Sequence, residues 1–547
     1  MPKKRLASLI TIVSIDPEVS YIGAYALNNL NATVQIDNGN TTIAEHAFDN
    51  AGENFVIVSV FNSPVHTYAK EHDLAFEGIP VASGDCGENA RWKIYPDGTL
   101  HIIGSGAMTD YYRDPTSTPW YSYASTITKV LVDEGITFVS PYTIFSASAC
   151  MSATILGADT QVSNTAFQMV NVNFTIYGHL DSSAQEVAQE RGYQFEAFTI
   201  ADGTCGPNVT WTLYTNGLLR IDGEYAMAKS DSAEDLAFYD YADKISAIEI
   251  GPNITKISKY TYYANEACTS FTVLNPGAIM PEEAIAMPQN VEIQGYYEST
   301  AQAYAEENNI PFAPVPILAS GSCGENASWW FHETGMFNIC GTGAVNSAVW
   351  GNYPAMSTEI NVGKGITYLS GHLYFGSANC TKFAIRNPDT YISSGTIANI
   401  LDSLVIYGDI DSTAQAYANN INANFKPFIL GTGPFPESTW TVYANGELRI
   451  TGRGPTTVSD KTPFDIPWDA FRDDITSIDV AAGIINLPGF TYFNQENCTS
   501  ITIWNPNLSF KSNTVAVKQD NLVIYGYKGS TAETYAASHS ITFVPLD

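Results

Sequence analysis

Positive charge and long apolar runs are what this sequence has least of. Among its 547 residues, 25 are lysine or arginine and 56 are aspartate or glutamate, so the net charge is −31. The phosphates of nucleic acid and an anionic membrane surface would repel such a chain, and neither is an expected partner. No stretch approaches the roughly 18 apolar residues of a membrane-spanning helix, so membrane insertion is not expected. Acidity spread along a chain is more typical of solubility than of one cationic partner.

Recognisable catalytic and metal-binding motifs are also missing. The sequence has no Cys-x-x-Cys, His-Glu-x-x-His, Gly-x-Ser-x-Gly, phosphate-binding loop or EF-hand spacing. We therefore predict a non-enzyme with no catalytic, cofactor-binding or metal-ligating residue, and its ligand-binding residues are not identified by sequence. No two of the eight histidines lie at ligand spacing, and we expect His101 and His332, at outward hairpin positions, to be solvated. The histidines are His46, His66, His72, His101, His179, His332, His372 and His539.

Cysteine is scarce, and its placement is informative. One set opens successive repeats, and a second set recurs later in each. A disulfide between the sets is one possibility, but Pro434 replaces the opening cysteine of the last repeat while Cys498 remains. Because a bridge normally loses both partners together, buried free thiols are the favoured interpretation. The opening set is Cys86, Cys205 and Cys323, the later set is Cys150, Cys268, Cys380 and Cys498, and Cys340 is additional.

What the sequence does contain is a long repeat. A tryptophan, an alternating strand, an Asp-Gly or Asn-Gly turn, a second strand and a glycine recur, starting at Trp92, Trp211, Trp329 and Trp440. The successive spacings are 119, 118 and 111 residues. Such a period marks a repeat architecture and excludes one large compact domain. Function is then expected on a repetitive surface before it is expected in a pocket.

Each repeat reads as three parts. A β-hairpin comes first, because the Asp-Gly or Asn-Gly pair supplies the positive φ angles of a tight turn. Short alternating strands follow in coils of roughly 20 to 25 residues, the size of one solenoid turn. A strand, a glycine and a short helix close the repeat. Ser299 and Gln302 at one such helix predict a capping box, in which each side chain accepts from the other residue's backbone N–H. Ala301, Tyr304 and Ala305 predict its buried stripe.

The chain start resembles a short secretion signal without a cleavage site. Since residues from about 6 onward align with the repeat interior, we expect the chain to begin inside a module, with a true signal upstream. The predicted organisation is a truncated leucine-rich-repeat module at 1–82 and four repeat modules at 83–201, 202–319, 320–430 and 431–547.

The opening phrase of the first full module, residues 83–108, places Cys86-Gly, Trp92, Asp97-Gly and Gly104-Ser-Gly-Ala-Met in order. It resembles the Cys-Gly, Trp, Asp-Gly, Gly-x-Gly-Ala-Met pattern of BspA-like leucine-rich-repeat surface proteins, and residues 321–344 and 524–535 match too. The resemblance implies bacterial or protist surface or secreted proteins, usually adhesins, built from short β-strand coils. The Ile-Gly-x-x-Ala-Phe phrase of such coils is kept well only at residues 22–27 and 43–48.

The fold class predicted is a mainly β repeat protein, with β-hairpin modules alternating with short leucine-rich-repeat (β-solenoid) coils, each closed by a short capped helix. Its predicted role is non-catalytic binding at the cell surface or outside the cell, presenting an elongated repeat surface to host matrix proteins, cells or glycans. The 32 tyrosines suit such a surface, although most are expected to be core. The alternatives are a carbohydrate-active β-solenoid enzyme and a passive spacer. The acidic clusters at 231–235 and 473–474 are the places to test for an enzyme.

Overall fold

The computed structural model describes residues 11–61, 63–346, 350, 353–371, 374–375, 379–398, 403–454, 462 and 466–546. The chain forms two compact units. Unit 1 contains residues 1–199 and 214–216, and unit 2 contains residues 200–213 and 217–547. Both are mostly β, and many of their strand pairings are parallel. Most of the chain start discussed above, residues 1–10, lies outside the described residues.

Unit 1 begins with a four-stranded parallel sheet. Its strands are Ile12–Ile15, Thr33–Ile36, Val56–Ser59 and Phe76–Gly78. A two-stranded pair, Tyr21–Ile22 with Thr42–Ile43, and the helix Pro64–Glu71 complete this part.

A second, nine-stranded sheet of unit 1 joins an antiparallel front to a parallel continuation. Its antiparallel strands are Ala82–Asp85, Gly87–Ile94 and Thr99–Met108. Its parallel strands are Lys129–Val132, Ile136–Val139, Ser152–Ile155, Gln161–Val162, Thr175–Gly178 and Gln194–Ala197. The pair Ile144–Phe145 with Phe167–Gln168, the 3-10 turns Pro115–Ser117 and Tyr121–Thr126, and the helix Ser183–Arg191 lie beside it.

Unit 2 repeats this plan in three sheets. The first has strands Thr199–Gly206, Val209–Tyr214, Leu218–Gly223, Ala247–Ile250, Ser270–Val273, Glu292–Gly295 and Phe312–Pro314. The second has Ile317–Ser322, Asn326–His332, Met336–Val345, Glu359–Val362, Ile366–Leu369, Lys382–Ile385, Tyr391–Ile392, Val405–Gly408 and Asn424–Pro427. The third has Ile429–Phe435, Ser438–Tyr443, Glu447–Gly452, Ser477–Val480, Ser500–Ile503, Val523–Gly526 and Thr542–Pro545.

Short pairs, turns and helices of unit 2 accompany these sheets. The pairs are Tyr225–Ala226 with Ile254–Lys256, Tyr262–Tyr263 with Ile285–Ala286, Tyr374–Phe375 with Ile397–Ala398, and Tyr492–Phe493 with Val515–Ala516. The helices are Thr300–Glu307, Tyr353–Met356, Thr413–Asn420 and Thr531–Ser538, and the 3-10 turns are Ala233–Asp235, Tyr239–Lys244 and Asp469–Phe471.

The parallel strands form because apolar residues alternate with polar ones and recur at a constant spacing. Ile248 and Ile250 are buried, and they pair in register with Phe271 and Val273, 23 residues later. Strands of this kind stack their buried side chains into one continuous core, while the intervening side chains point to the other face. The same 23-residue register joins Lys129 to Ser152 in unit 1.

The predicted hairpins are present in all four full repeats. Trp92 pairs with Ile102 on the neighbouring antiparallel strand, and Trp440 pairs with Ile450 in the same way. The turn glycines adopt φ angles of 83° to 87°, which residues with a side chain rarely tolerate. They are Gly98, Gly217, Gly335 and Gly446.

The predicted capping box differs by one residue from the observed hydrogen bonds. Ser299 Oγ accepts from the Gln302 N–H at 3.2 Å, as expected, but Gln302 Oε1 accepts from the Glu298 N–H at 2.7 Å. Glu298 has a φ of 57°, and the Gln302 side chain bonds to its N–H instead of to that of Ser299. The predicted helix stripe is buried at Ala301, Tyr304 and Ala305.

Contacts within unit 2 join parts of the chain that are far apart in sequence. Thr255 Oγ1 donates to the Leu430 carbonyl at 2.7 Å, and Lys256 pairs with Asp474. An elongated stack of repeats implies contacts between neighbouring repeats only. That expectation does not hold within unit 2, because its first sheet segment packs against its last.

Candidate binding surfaces

One position recurs on the outward face of every hairpin-bearing sheet. It lies between two buried apolar residues, for example Leu100 and Ile102 around His101. The apolar flanks keep the strand on the core in each copy, while the central residue changes. The central residues His101, Arg220 and Arg449 are half-buried, whereas the fourth, Asn338, is only 3% exposed.

The partners of these central residues differ as well. His101 Nε2 lies 2.6 Å from Asp133 Oδ1, and Arg220 Nε donates to Glu249 at 2.8 Å. Arg449 instead pairs with Glu447 on its own strand. The sheets that carry His101, Arg220 and Arg449 therefore present different polar patterns on a common apolar framework.

A groove of about 780 Å³ lies on the outward side of the sheets of unit 1. Its carboxylates are all paired: Glu77 with Lys93 at 2.5 Å, Asp97 with Lys129 at 3.1 Å, and Asp133 with His101. Burial raises the pKa of Asp97, but hydrogen bonds from Thr99 and Lys129 outweigh it and hold that pKa below its ordinary value. A paired-carboxylate hydrolase needs one acid kept protonated near neutral pH, and the pKa of Asp97 is shifted in the opposite direction.

A second cavity, of about 400 Å³, lies within unit 2 and is called the basic cavity here. Its charged lining residues are Lys364, Lys382, Arg386, Lys426, Glu224 and Asp409. Burial raises the pKa of Asp409 even though Lys364 and Arg386 oppose that change. The interior of the cavity is therefore a place where charge is poorly hydrated.

Sequence reasoning missed this cavity, although one signal points to it. The residue before each Asn-Pro of the repeats is Leu274, Arg386 or Trp504. Only an alignment of these three segments shows that Arg386 occupies the position of the apolar side chains Leu274 and Trp504.

All eight cysteines are buried free thiols, which confirms the interpretation favoured by the sequence. Burial raises the pKa of five of them to about 12 and of two to about 11. A thiol with so high a pKa is neither a nucleophile nor a metal ligand at neutral pH. The five are Cys86, Cys150, Cys205, Cys323 and Cys498, and the two are Cys268 and Cys340.

The expectation that His101 and His332 are solvated is wrong. His332 is buried, its ring Nδ1 lies 2.8 Å from Thr334 Oγ1, and Tyr296 packs edge-on at 5.6 Å. His101 is only partly exposed and bonds to Asp133. A neighbouring segment thus covers His332, whereas His101 lines the groove of unit 1. His372 lies outside the described residues.

Within the described ranges, no three histidine, cysteine, aspartate or glutamate side chains are placed to hold a metal ion. The absence of a cofactor stays a prediction. The described part of the chain also contains no helix that is long and apolar enough to cross a membrane.

The acidic clusters have structural roles. Asp235 Oδ2 accepts from the Asp231 and Ser232 N–H groups at 3.0 and 2.8 Å, and these bonds lower its pKa. Asp474 forms an ion pair with Lys256 at 2.5 Å. The first cluster therefore stabilises its own turn, and the second stabilises a contact between distant segments of unit 2.

The structure identifies which aromatic side chains are exposed. Tyr111 is buried while its neighbour Tyr112 is 65% exposed, and Trp329 and Trp330 are both buried. The exposed tyrosines and tryptophan are Tyr21, Tyr25, Tyr112, Tyr121, Tyr239, Tyr263, Tyr297, Tyr391 and Trp504. Aromatic rings at the surface offer contact area with a polar tip, which suits recognition of proteins or sugars.

No family model matches the chain, and no curated protein matches its sequence. Solved structures are similar to it. A leucine-rich repeat protein from Eubacterium ventriosum is 12% identical, with 81% of this chain and 84% of its own covered, at a TM-score of 0.17. A leucine-rich cell surface protein from Faecalibacterium prausnitzii is 12% identical, with 83% of this chain and 97% of its own covered, at a TM-score of 0.14. A leucine-rich repeat protein from Bacteroides ovatus is 9% identical, with 84% of this chain and 99% of its own covered, at a TM-score of 0.17.

All three structures are described as leucine-rich proteins. TM-scores far below 0.5 mean that the backbones do not superpose as wholes. No role is therefore transferred from these proteins to this chain.

Proposed function

We propose that this chain is a non-catalytic binding protein of the cell surface or extracellular space. The observation that carries the proposal is a constant apolar framework around a half-buried outward residue whose identity or ion partner changes, seen at His101, Arg220 and Arg449. A repeated catalytic site would need the same reactive group in the same place. A repeated binding scaffold needs only a fixed framework and variable surface chemistry.

The partners proposed are host matrix proteins, other cells or glycans. Exposed rings such as Tyr112 and Tyr391 lose little conformational entropy on binding and bury large areas. Tyr391 lies on a strand that pairs in parallel with Ile366–Leu369, so a partner meets a preorganised surface at this ring. The net charge of −31 favours partners that are neutral or basic at the contact.

The proposal is tested by binding of the purified chain, at physiological salt, to immobilised matrix proteins and polysaccharides. We expect saturable binding to at least one of them. The variants Tyr112→Ser and Tyr391→Ser should weaken binding of a partner that contacts their surfaces, with an unchanged melting temperature. Val172→Ala is the matched control, because Val172 is 96% exposed and is not aromatic.

The remaining outcomes separate the alternatives. Release of a product from any polysaccharide would contradict the proposal and favour the carbohydrate-active enzyme. Failure to bind any member of the panel would favour the passive spacer.

A further inference from the structure

The basic cavity of unit 2 concentrates positive charge in a strongly acidic protein. Four of its 25 basic residues line this one cavity, against two carboxylates, Glu224 and Asp409. Lys382 is paired with Glu359 at 2.8 Å, and Lys364 and Lys426 are exposed at the rim. The cavity would therefore attract an anion that the rest of the surface repels.

Arg386 is the fixed element of this cavity. Its Nε donates to Asn361 Oδ1 at 2.7 Å, and its Nη2 reaches Asn275 Oδ1 at 3.4 Å. Amide oxygens orient the guanidinium without neutralising it, and no described carboxylate lies within 4.0 Å of it. The group is thus preorganised for a ligand. Burial lowers the pKa of Arg386, while the charges of Glu359 and Asp409 oppose that change.

Gly277 makes room for this guanidinium. A Cβ atom at position 277 would lie 2.1 Å from Arg386 Nη1. The φ angle of Gly277 is not in the left-handed region, so close approach explains the glycine here and turn geometry does not.

Aromatic rings form one wall of the cavity. The Arg386 guanidinium lies 5.3 Å from the centre of the Phe428 ring, and Phe428 stacks on Tyr407 at 6.4 Å. Lys382 Nζ lies 5.7 Å from the Tyr407 ring. Rings beside a cation suit a ligand that has both an anionic group and an apolar face.

We propose that the basic cavity binds the carboxylate-bearing end of an acidic sugar, such as a hexuronate or a sialic acid. The planar fork of Arg386 matches a carboxylate in two parallel hydrogen bonds. Glu224 and Asp409 accept hydrogen bonds from sugar hydroxyls, and they disfavour a doubly charged phosphate or sulfate. A volume of about 400 Å³ is of the size that holds a small ligand. The proposal names a ligand for the binding function above and rests on it only in taking glycans as partners.

The test is calorimetric titration of the full chain with sodium glucuronate and N-acetylneuraminate, with glucose and sulfate as comparison probes. We expect one acid sugar to bind at a single site, glucose and sulfate to bind at least tenfold more weakly, and Arg386→Met to abolish binding. Lys426→Ala, at the exposed rim, should weaken binding severalfold without affecting folding. Lys528→Ala, an exposed lysine outside the cavity, is the charge-matched control and should leave it unchanged.

The proposal would be overturned by no binding of either acid sugar, by equal binding of sulfate, or by equal losses in Lys426→Ala and Lys528→Ala. Binding of free sugars is measured separately from adhesion to the immobilised panel. If the chain adheres to matrix proteins but binds neither acid sugar, only the ligand proposed for the basic cavity is overturned. If it binds an acid sugar but adheres to no matrix protein, only the proposed binding to matrix proteins is overturned.

Discussion

Lys256 and Asp474, 218 positions apart in the chain, form an ion pair with 2.5 Å between Nζ and Oδ2. The pair is mostly buried, with the two side chains 17% and 20% exposed. Lys256 Nζ also donates to the Ala470 carbonyl at 3.0 Å. This contact fastens the first part of unit 2 to its last part, a link that repeat stacking alone does not provide.

Removing one partner of this pair should destabilise unit 2. For Lys256→Met we expect a loss of about 1–3 kcal/mol, because Asp474 would remain partly buried without its cation. Denaturant unfolding followed by tryptophan fluorescence measures the loss. Lys259→Met is the control: its pair with Glu283 is 46% and 45% exposed, and an exposed pair contributes about 0–1 kcal/mol. Equal effects of the two substitutions would contradict this account of the interface.

The tryptophan that opens each hairpin packs on a glycine of the adjacent strand. Gly321 faces Trp329 across the antiparallel pair, and a Cβ at 321 would lie 2.8 Å from the indole Nε1. Gly321→Ala should therefore cost about 1–3 kcal/mol through overpacking. Gly371→Ala is the control, since this glycine lies in a turn after the strand Ile366–Leu369 and its nearest described atom is 3.4 Å away. Thermal unfolding of both variants tests this, and a stable Gly321→Ala protein would refute the packing argument.

The buried thiols should be inert in the folded chain. Burial raises the pKa of Cys150 and Cys498 to about 12, so almost no thiolate exists at pH 8. A thiol-specific chromogenic reagent should react slowly with the native protein and label all eight cysteines rapidly in denaturant. Fewer than eight reactive thiols after denaturation without reductant would reveal a disulfide and contradict the free-thiol structure.

The same thiols predict a loss of stability at alkaline pH. A thiol of the unfolded chain titrates near its ordinary pKa of about 8.5, whereas the folded Cys498 thiol keeps its proton until about pH 12. Between these values the unfolded state binds fewer protons, so the free energy of unfolding falls as pH rises. The melting temperature of the chain should fall between pH 8 and pH 11. The melting temperature of Cys498→Ala, compared with its own value at pH 8, should fall less steeply. Identical slopes would exclude a contribution from this thiol.

Local features of the fold were predictable from sequence because each is encoded in a short window. The alternation at residues 245–250 predicts a strand with one buried face, and Asp97-Gly98 predicts a tight turn. The long-range contact of Lys256 with Asp474 was not predictable, because no periodicity relates residues in different repeats that are not neighbours. The capping box differs from the prediction by one residue, since the Gln302 side chain accepts from the N–H of Glu298, which has a positive φ, and not from that of Ser299.

The surfaces were harder to predict than the strands. His332 stands at an outward position of its hairpin, yet Tyr296 from an earlier segment covers it. Alternation tells which face a side chain takes but not whether another segment covers that face. For the same reason the sequence did not single out Arg386, which lines a cavity formed by distant segments of unit 2.

The central claim, that the chain binds a surface ligand without transforming it, is tested most directly by one paired measurement. The purified chain is titrated onto the immobilised protein and polysaccharide panel, and the same wells are assayed for released sugars or peptides. The account predicts saturable binding to at least one component and no product at any protein concentration. Product that increases with protein and time, or no binding to any component, would contradict it.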